Sequence, residues 1–259
     1  MSTVAVSYTV DGPADAPVVV LSNSLGATRA MWNPQVPALA ERYRVVTYDT
    51  RGHGNSPAPA GPYTLDDLVD DLVALLREVG AQRAHVAGLS LGGMTAMRLA
   101  VREPQLVDRL ALLCTSAKPD PQPFLDRAAA IRSGGTAPLA PAIAGRWLTP
   151  GFAAANPDLV ARLEAMIAGA DDAGYAACCE VVAGVDLGDD LGRIAAPTLV
   201  VSGRQDQALP PEHQRLIADS IPSAELLTVD PGAHLANLEQ TSQVTAALLD
   251  HFDSTGGTR

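Results

Sequence analysis

The sequence has few cysteines and few basic residues, and each shortage excludes a class of protein. Only three cysteines occur among 259 residues, and their spacing forms neither a disulfide framework nor a Cys/His zinc cluster. The 18 basic residues are outnumbered by 29 acidic ones, which gives a formal net charge of −11. Such an acidic surface repels the phosphates of nucleic acids and membrane lipids, so we expect neither as a partner.

The sequence also lacks a long apolar segment. Its first residues carry no basic stretch followed by an apolar one, so no signal peptide is predicted. No run approaches the roughly 18 apolar residues that a membrane-spanning helix needs. Hydrophobic residues still make up 47% of the chain, enough for a sizeable core. We therefore expect a folded cytoplasmic protein without a metal or organic cofactor, and association into a homo-oligomer is left open.

Strand and helix signals alternate along the first half of the chain. Short β-branched runs end at turn residues, and one segment has leucines at helical spacing after a threonine N-cap, Thr64. The expected strands are Val4–Val10, Val18–Leu21, Arg44–Tyr48, Ala84–Ala87 and Leu110–Leu113, and the expected helices are Thr64–Val79 and Leu91–Arg102. This alternation predicts an α/β fold with a mostly parallel central sheet flanked by helices.

The pattern changes from Ala117 to about Ala195, where prolines are frequent and no strand signal occurs. Helical stretches are expected there at Phe124–Arg132, Leu159–Ala168 and Tyr175–Val182. The alternation then resumes at Thr198–Ser202, Pro211–Ser220, Glu225–Val229 and Asn237–His251, and the last six residues are expected to fray. We interpret residues 117–195 as a helical cap inserted into a core domain of residues 1–116 and 196–259.

One motif within this alternation carries chemistry. Gly88-Leu89-Ser90-Leu91-Gly92 follows an apolar strand and precedes a helix, which is the setting that a G-x-S-x-G nucleophile requires. The serine stands on a sharp turn, so its neighbours must be small. The motif predicts the α/β-hydrolase fold with Ser90 as nucleophile. It would also place the backbone N–H of Leu91 at a helix N-terminus, where a developing oxyanion is stabilised.

A serine hydroxyl needs a base to take its proton, and in this fold the chain order is nucleophile, acid, histidine. His234 satisfies that order and lies in a loop just past a strand, at the carboxyl rim of the sheet. Asp206 also lies just past a strand and is the predicted acid, which would fix the tautomer of the histidine. Asp230 competes for this role, although it precedes His234 by only four residues. The predicted catalytic triad is Ser90, Asp206 and His234.

A second oxyanion donor is expected from the loop after an earlier strand. That loop is Ser22-Asn23-Ser24-Leu25-Gly26, and the backbone N–H of Leu25 is the candidate. The turn Arg51-Gly52-His53-Gly54 is interpreted as a brace for this region, with His53 disfavoured as a second base.

Taken together, these segments resemble the 3-oxoadipate enol-lactonases over nearly the whole chain. The triad motifs are common to α/β-hydrolases, whereas the loop after the second strand and two cap segments are the specific part. The matching segments are Ser22–Gly26, Tyr48–Gly54, Gly88–Gly93, Arg146–Phe152, Gly174–Cys179, Gly232–His234 and Asn237–Gln240. The resemblance implies hydrolysis of 3-oxoadipate enol-lactone in the bacterial breakdown of catechol and protocatechuate.

The implied substrate is a small anionic lactone, so an acidic protein needs a local cation to hold it. Arg146 in the expected cap is the candidate, because arginine binds carboxylates through two parallel hydrogen bonds. An ordinary ion pair with an acidic neighbour is the alternative for this residue. Trp147 and Trp32 are candidates for lining the pocket, although tryptophan also commonly serves packing alone.

Other activities stay open at this point. Ala236 and Thr241 depart from residues that are frequent in the family, which keeps carboxylesterases and C–C bond hydrolases of ring-cleavage products in consideration. Relatives with an aspartate nucleophile are disfavoured, because Ser90 holds that position. A non-enzymatic ligand receptor on a hydrolase scaffold could retain a triad and is the alternative from another class.

Overall fold

A computed structural model describes residues 3–254, so the predicted fraying of residues 255–259 lies outside the described residues. Seven strands form one sheet in the order β1-β3-β2-β4-β5-β6-β7. They are β1 (Tyr8–Asp11), β2 (Val18–Ser22), β3 (Arg44–Tyr48), β4 (Ala84–Leu89), β5 (Val107–Leu113), β6 (Thr198–Gly203) and β7 (Ala224–Val229). Only β1 and β3 pair antiparallel. The predicted mostly parallel α/β-hydrolase sheet is confirmed.

Helices flank this sheet and fill the long connection between β5 and β6. Within residues 3–254 they are α1 (Val36–Ala40), α2 (Leu65–Glu78), α3 (Leu91–Arg102), α4 (Gln122–Gly134), α5 (Ala140–Ala144), α6 (Pro150–Ala155), α7 (Pro157–Ala168), α8 (Asp172–Ala183), α9 (Pro211–Ser220), α10 (Ala236–Glu239) and α11 (Thr241–Asp253). Short 3₁₀ turns cover Arg29–Trp32, Pro104–Leu106, Ala137–Leu139 and Gly188–Arg193. None of these helices combines the length and the apolar composition that crossing a bilayer requires.

Local sequence signals place several of these elements correctly. Thr64 caps α2 through a reciprocal capping box with Asp67, as an N-cap threonine should. The predicted strand Val4–Val10 is wrong at its start, because the backbone N–H groups of Val4 and Ser7 bond to the side chains of Asp71 and Ser56 instead of a strand. The predicted helix Asn237–His251 is interrupted, because Gln240 has a non-helical ψ of 51°.

The sheet is most deeply buried at its centre. Every residue of β2 and β4 is buried, and both strands are apolar except for Ser22 and His85. This composition is typical of parallel strands that helices cover on both faces. The two edge strands, β1 and β7, are largely half-buried or exposed. The segment between β5 and β6 holds α4 to α8 and no strand among its residues, all of which the structure describes. Its separation as a cap of residues 117–195 stays a prediction.

Candidate active site

Ser90 stands on the turn between β4 and α3, in a backbone conformation that residues other than glycine rarely adopt. Its φ is 56° and its ψ is −117°. The backbone N–H of Ser90 donates to the carbonyl of Leu113 at 3.0 Å, and the hydroxyl of Thr115 donates to the carbonyl of Ser90 at 2.7 Å. Backbone strain persists only where the surroundings enforce it, and it concentrates at functional sites. The turn has the form expected around a nucleophilic serine.

Glycines bring three backbone segments into contact around this turn. A Cβ atom at Gly88 would lie 2.2 Å from the carbonyl oxygen of Gly92, and one at Gly92 would lie 2.3 Å from the carbonyl oxygen of Ser22. Any other residue at these positions would therefore force the backbones apart. The close approach carries the loop after β2, with Leu25, to the same cavity that Ser90 lines.

The loops after β6 and β7 bring Asp206 and His234 together. Oδ2 of Asp206 lies 2.9 Å from Nδ1 of His234, and both side chains are buried. Oδ1 of Asp206 accepts the backbone N–H groups of Ala208 and Leu209 at 2.8 and 3.0 Å. The carboxylate is thus held in place on one side and directed at the imidazole on the other. This arrangement puts the ring proton on Nδ1 and leaves Nε2 as a proton acceptor.

His234 and Ser90 line the same cavity, but no hydrogen bond joins their side chains in the part of the chain that the structure describes. Nε2 of His234 lies instead 3.5 Å from the hydroxyl oxygen of Ser24. Catalytic hydrogen bonds are often long in the absence of substrate, so this spacing does not remove Ser90 from the site. Sequence reasoning singled out the backbone of Leu25 in this loop and missed the hydroxyl of Ser24.

Two backbone N–H groups point to an oxyanion site. Among residues 3–254, no hydrogen bond is donated by the backbone N–H of Leu25 or of Leu91, the first residue of α3. The first N–H groups of a helix have no intrahelical partner, and the N–H of Leu25 is unpaired as well, so both are available to a ligand atom beside the strained serine. A tetrahedral oxyanion on a carbonyl attacked by Ser90 would satisfy both.

The loop that carries Leu25 is braced by His53. The backbone N–H of Gly26 donates to Nε2 of His53 at 2.9 Å, and Nδ1 of His53 lies 3.1 Å from the carbonyl oxygen of Arg51. These contacts require the neutral ring with its proton on Nδ1, and burial lowers the pKa of His53 accordingly. Arg51 is anchored in turn by a bidentate ion pair with Asp71, at 2.6 and 2.7 Å.

The cavity has a volume of about 220 Å³ and takes its walls from the core and from the helical segment between β5 and β6. Ser24, Leu25, Ser90 and His234 line it from below. Arg146 and Trp147 line it from the segment above, where the sequence predicted them. Trp32 does not line this cavity, contrary to the prediction, because its side chain is fully buried in the hydrophobic core.

Arg146 is exposed, and its guanidinium donates to the backbone carbonyl of Gln207. It forms no ion pair within the described residues, so its charge is left uncompensated. Two other arginines already form ion pairs with carboxylates. Arg29 pairs with Asp49, and Arg132 pairs with Glu180.

Four further polar residues of the lining were missed from the sequence: Asp120, Arg127, Gln207 and His213. Arg127 belongs to a helix that periodicity did predict, but periodicity alone does not say which of its faces meets a cavity. His213 lies near the start of α9, and its Nδ1 lies 2.9 Å from the hydroxyl oxygen of Ser116.

One carboxylate joins the loop of His234 to the helical segment between β5 and β6. Oε1 of Glu239 accepts the backbone N–H groups of Ala233 at 3.1 Å and Thr149 at 2.9 Å, and Oε2 accepts the Thr149 hydroxyl at 2.8 Å. The backbone N–H of Leu235 donates to the carbonyl of Trp147 at 2.9 Å.

No cluster of three or more metal-ligating side chains occurs within residues 3–254.

Comparison with known proteins gives a consistent set of relatives. A model of the alpha/beta hydrolase fold family matches residues 17–241. 3-Oxoadipate enol-lactonase 2 of Acinetobacter baylyi is 37% identical over 238 residues, which cover 92% of this chain and 89% of that protein. RutD of Stutzerimonas stutzeri, which is named as a putative carbamate hydrolase, is 32% identical over 245 residues. The match covers 92% of this chain and 92% of that protein.

A solved structure agrees with these sequence matches. The crystal structure of the enol-lactonase from Burkholderia xenovorans LB400 superposes with a TM-score of 0.94 at 37% identity, covering 96% of each chain. The likeness therefore spans the segment between β5 and β6 as well as the sheet.

Proposed function

The chain belongs to the α/β-hydrolase family and is similar to 3-oxoadipate enol-lactonases, and on that premise we propose that it is a serine hydrolase of 3-oxoadipate enol-lactone. Ser90 is the nucleophile, His234 the base, Asp206 the acid, and the N–H groups of Leu25 and Leu91 form the oxyanion hole. The observation that supports this most is a single cavity lined by Ser90, His234 and Leu25, with uncompensated arginine charge in its wall.

In the first half of the proposed reaction, the hydroxyl oxygen of Ser90 attacks the lactone carbonyl carbon while Nε2 of His234 takes its proton. The resulting oxyanion accepts the N–H groups of Leu25 and Leu91. Collapse breaks the bond between the carbonyl carbon and the ring oxygen, and the proton on His234 goes to that oxygen. The leaving group is an enol, which departs more easily than an alkoxide and tautomerises to the ketone, while the opened chain stays esterified to Ser90.

The second half consumes one water molecule. His234 takes a proton from the water as its oxygen attacks the acyl carbon, and the same two N–H groups stabilise the second oxyanion. The bond to Ser90 then breaks, Ser90 recovers its proton from His234, and the free acid leaves. Asp206 stabilises the imidazolium in both halves without taking up the proton itself. No step uses a metal or an organic cofactor.

The decisive experiment is turnover of freshly generated enol-lactone by the wild type and by two serine variants. Ser90→Ala should lower kcat on the order of 10⁶-fold, as loss of a triad nucleophile does. Ser24→Ala is the matched control, because its hydroxyl is the one within 3.5 Å of His234 Nε2. We expect it to keep turnover within about tenfold of wild type, because one neutral hydrogen bond contributes little more than about 1 kcal/mol.

The substrate arms of this assay separate the competing activities. A simple aryl ester, a C–C ring-cleavage product and a small carbamate are run beside the lactone, the last because of the similarity to RutD. A wild type that prefers any of these would replace the enol-lactonase proposal. Binding of the lactone without any turnover would favour a receptor.

A further inference from the structure

The charges around the cavity contrast with those of the whole chain. The net charge is −11, yet two arginines, Arg127 and Arg146, reach the cavity lining. Neither forms an ion pair within residues 3–254. The one carboxylate that lines the same cavity, Asp120, is exposed and accepts a backbone N–H from Gln122. Two arginines without ion pairs in the wall of one cavity, in a chain of this net charge, point to an anionic ligand.

Arg127 is the more buried of the two arginines. It lies on α4, is half-buried, and its guanidinium stacks over the ring of Phe124 at 5.4 Å from the centroid. A guanidinium above an aromatic face can still direct N–H groups at a planar anion. Arg146, in contrast, is exposed and already donates to the Gln207 carbonyl.

A second buried polar group lies beside Arg127. The Tyr175 phenol is fully buried, and the Arg127 guanidinium lies within hydrogen-bonding reach of it. Burial raises the pKa of this phenol, and the nearby positive charge of Arg127 opposes the rise. The ring of Tyr175 packs against Gly26, where an added Cβ would lie 2.7 Å from it. Arg127 therefore lies close to the loop that supplies the Leu25 N–H.

We propose that Arg127 is a specificity-determining residue that binds a substrate carboxylate remote from the ester, with Arg146 as the second cation of the same subsite. This inference rests on the proposed function for the position of the ester at Ser90. It narrows the substrate class to small esters and lactones with a free carboxylate at the far end. It also implies that short dicarboxylates, which resemble the hydrolysed product, occupy the cavity as competitive inhibitors.

The test uses a matched pair of chromogenic esters of adipic acid. Both carry a 4-nitrophenyl ester at one end; the other end is a free carboxylate in one compound and a methyl ester in the other. Arg127→Met should lower kcat/KM for the carboxylate compound by about 10- to 150-fold, the range for loss of a charge-assisted contact. The methyl ester should change less than about threefold, and Arg127→Lys should restore part of the loss.

Arg162→Met is the control for charge alone. Arg162 is an exposed arginine of α7 that does not line the cavity and forms no ion pair among the described residues. The control removes one positive charge from the same helical segment, so we expect both esters to be hydrolysed as by wild type. An equal loss for both esters in Arg127→Met would make Arg127 structural and overturn the inference. The inference would also be overturned if Arg146→Met lowered kcat/KM for the carboxylate ester while Arg127→Met left it unchanged.

Adipate binding to the wild type and the variants, measured by calorimetry, keeps this inference separate from the proposed function. If the wild type hydrolyses neither ester but binds adipate, and Arg127→Met weakens that binding at least tenfold, the anion subsite stands and the hydrolase proposal fails. If adipate binds equally to the wild type and Arg127→Met, or to neither, the inference is overturned whatever the turnover. Circular dichroism of each variant identifies any that fail to fold, and Arg127→Lys then decides.

Discussion

Among single residues, two carboxylates compete for His234, and hydrogen bonds separate them. Asp206 is buried and lies 2.9 Å from Nδ1 of the imidazole. Asp230 is half-exposed, pairs with Arg204 at 2.6 Å and accepts from Gln205 at 3.1 Å. Its charge is therefore already compensated on the surface, away from the histidine.

We expect Asp206→Asn to lower kcat by roughly 10⁴-fold, the magnitude of the corresponding change in serine proteases. The amide oxygen would stay on the backbone N–H groups of Ala208 and Leu209, which turns the NH2 group towards Nδ1 of His234. The ring then carries its proton on Nε2, which no longer takes the proton of Ser90. Steady-state kinetics on the lactone would measure this. Asp230→Asn is the control and should stay within about threefold of wild type, since it removes only an exposed ion pair. The opposite ranking would transfer the acid role to Asp230.

The proposed triad residues could be selected from the sequence because each follows a strand end in a fixed chain order. Ser90 needed its glycine neighbours, and Asp206 and His234 needed only the positions of β6 and β7. The location of Arg127 at the cavity and of Trp32 in the core could not be predicted in this way. Both lie in helical segments, and whether such a side chain meets a cavity or the core depends on packing against distant elements. The hydroxyl of Ser24 reaches His234 across 210 positions of sequence, a contact that no local pattern encodes.

Between elements, the active site depends on how closely β4, α3 and the loop after β2 approach one another. Gly92 lies in the first turn of α3, with a conformation that any residue can adopt, so only the space around it demands glycine. Gly151 lies in α6 with no atom within 4 Å of the position a Cβ would take. The two positions therefore separate steric contact from helix propensity.

Gly92→Ala should destabilise the protein by about 1–3 kcal/mol or more, because its methyl group would meet the carbonyl oxygen of Ser22 and no side chain could yield. Gly151→Ala should be neutral or stabilise by up to about 1 kcal/mol, because alanine favours the helix. Free energies of unfolding from denaturant titration would compare the two. If Gly92→Ala were as stable as Gly151→Ala, the tight contact would not exist in solution.

The mostly parallel sheet and its longer helices followed from hydrophobic periodicity, but two connections did not. Val4 to Ser7 has strand composition, yet its N–H groups are satisfied by the side chains of Asp71 and Ser56. The break between α10 and α11 falls at Gln240, where no glycine or proline predicts the end of a helix. Side-chain hydrogen bonds from distant residues decided the first, and nothing in the local composition marks the second.

For the chain as a whole, buried histidines link stability to pH. Burial lowers the pKa of His53 and of His85, and it lowers that of His251 to about 4. These rings take up protons near pH 6.5 in the unfolded chain but only at lower pH in the folded one. The unfolded state therefore binds more protons below pH 6.5, and the free energy of unfolding must fall as the pH drops.

We expect this fall to begin near pH 6.5, with a slope of up to about 1.4 kcal/mol per pH unit for each histidine involved. Carboxylates with lowered pKa values, such as Asp66 and Glu180, act in the same direction but only below about pH 4.5. Denaturant unfolding at pH 7.5, 6.0 and 5.0 would measure the histidine contribution. His251→Gln should flatten the curve, and an unchanged slope in that variant would exclude His251 from the effect.

The contacts of Glu239 bear on how this architecture can be recombined. Glu239 belongs to the carboxyl-terminal part of the chain, yet it satisfies backbone and side-chain donors of Thr149, which precedes β6 by almost fifty positions. A chimera that replaced residues 117–195 with those of a relative would exchange Thr149 and keep Glu239. If the donor offered no matching hydroxyl, the loop of His234 would lose one of its attachments. When this helical segment is exchanged between relatives, we therefore expect the residue at position 239 to have to change together with the residue at position 149.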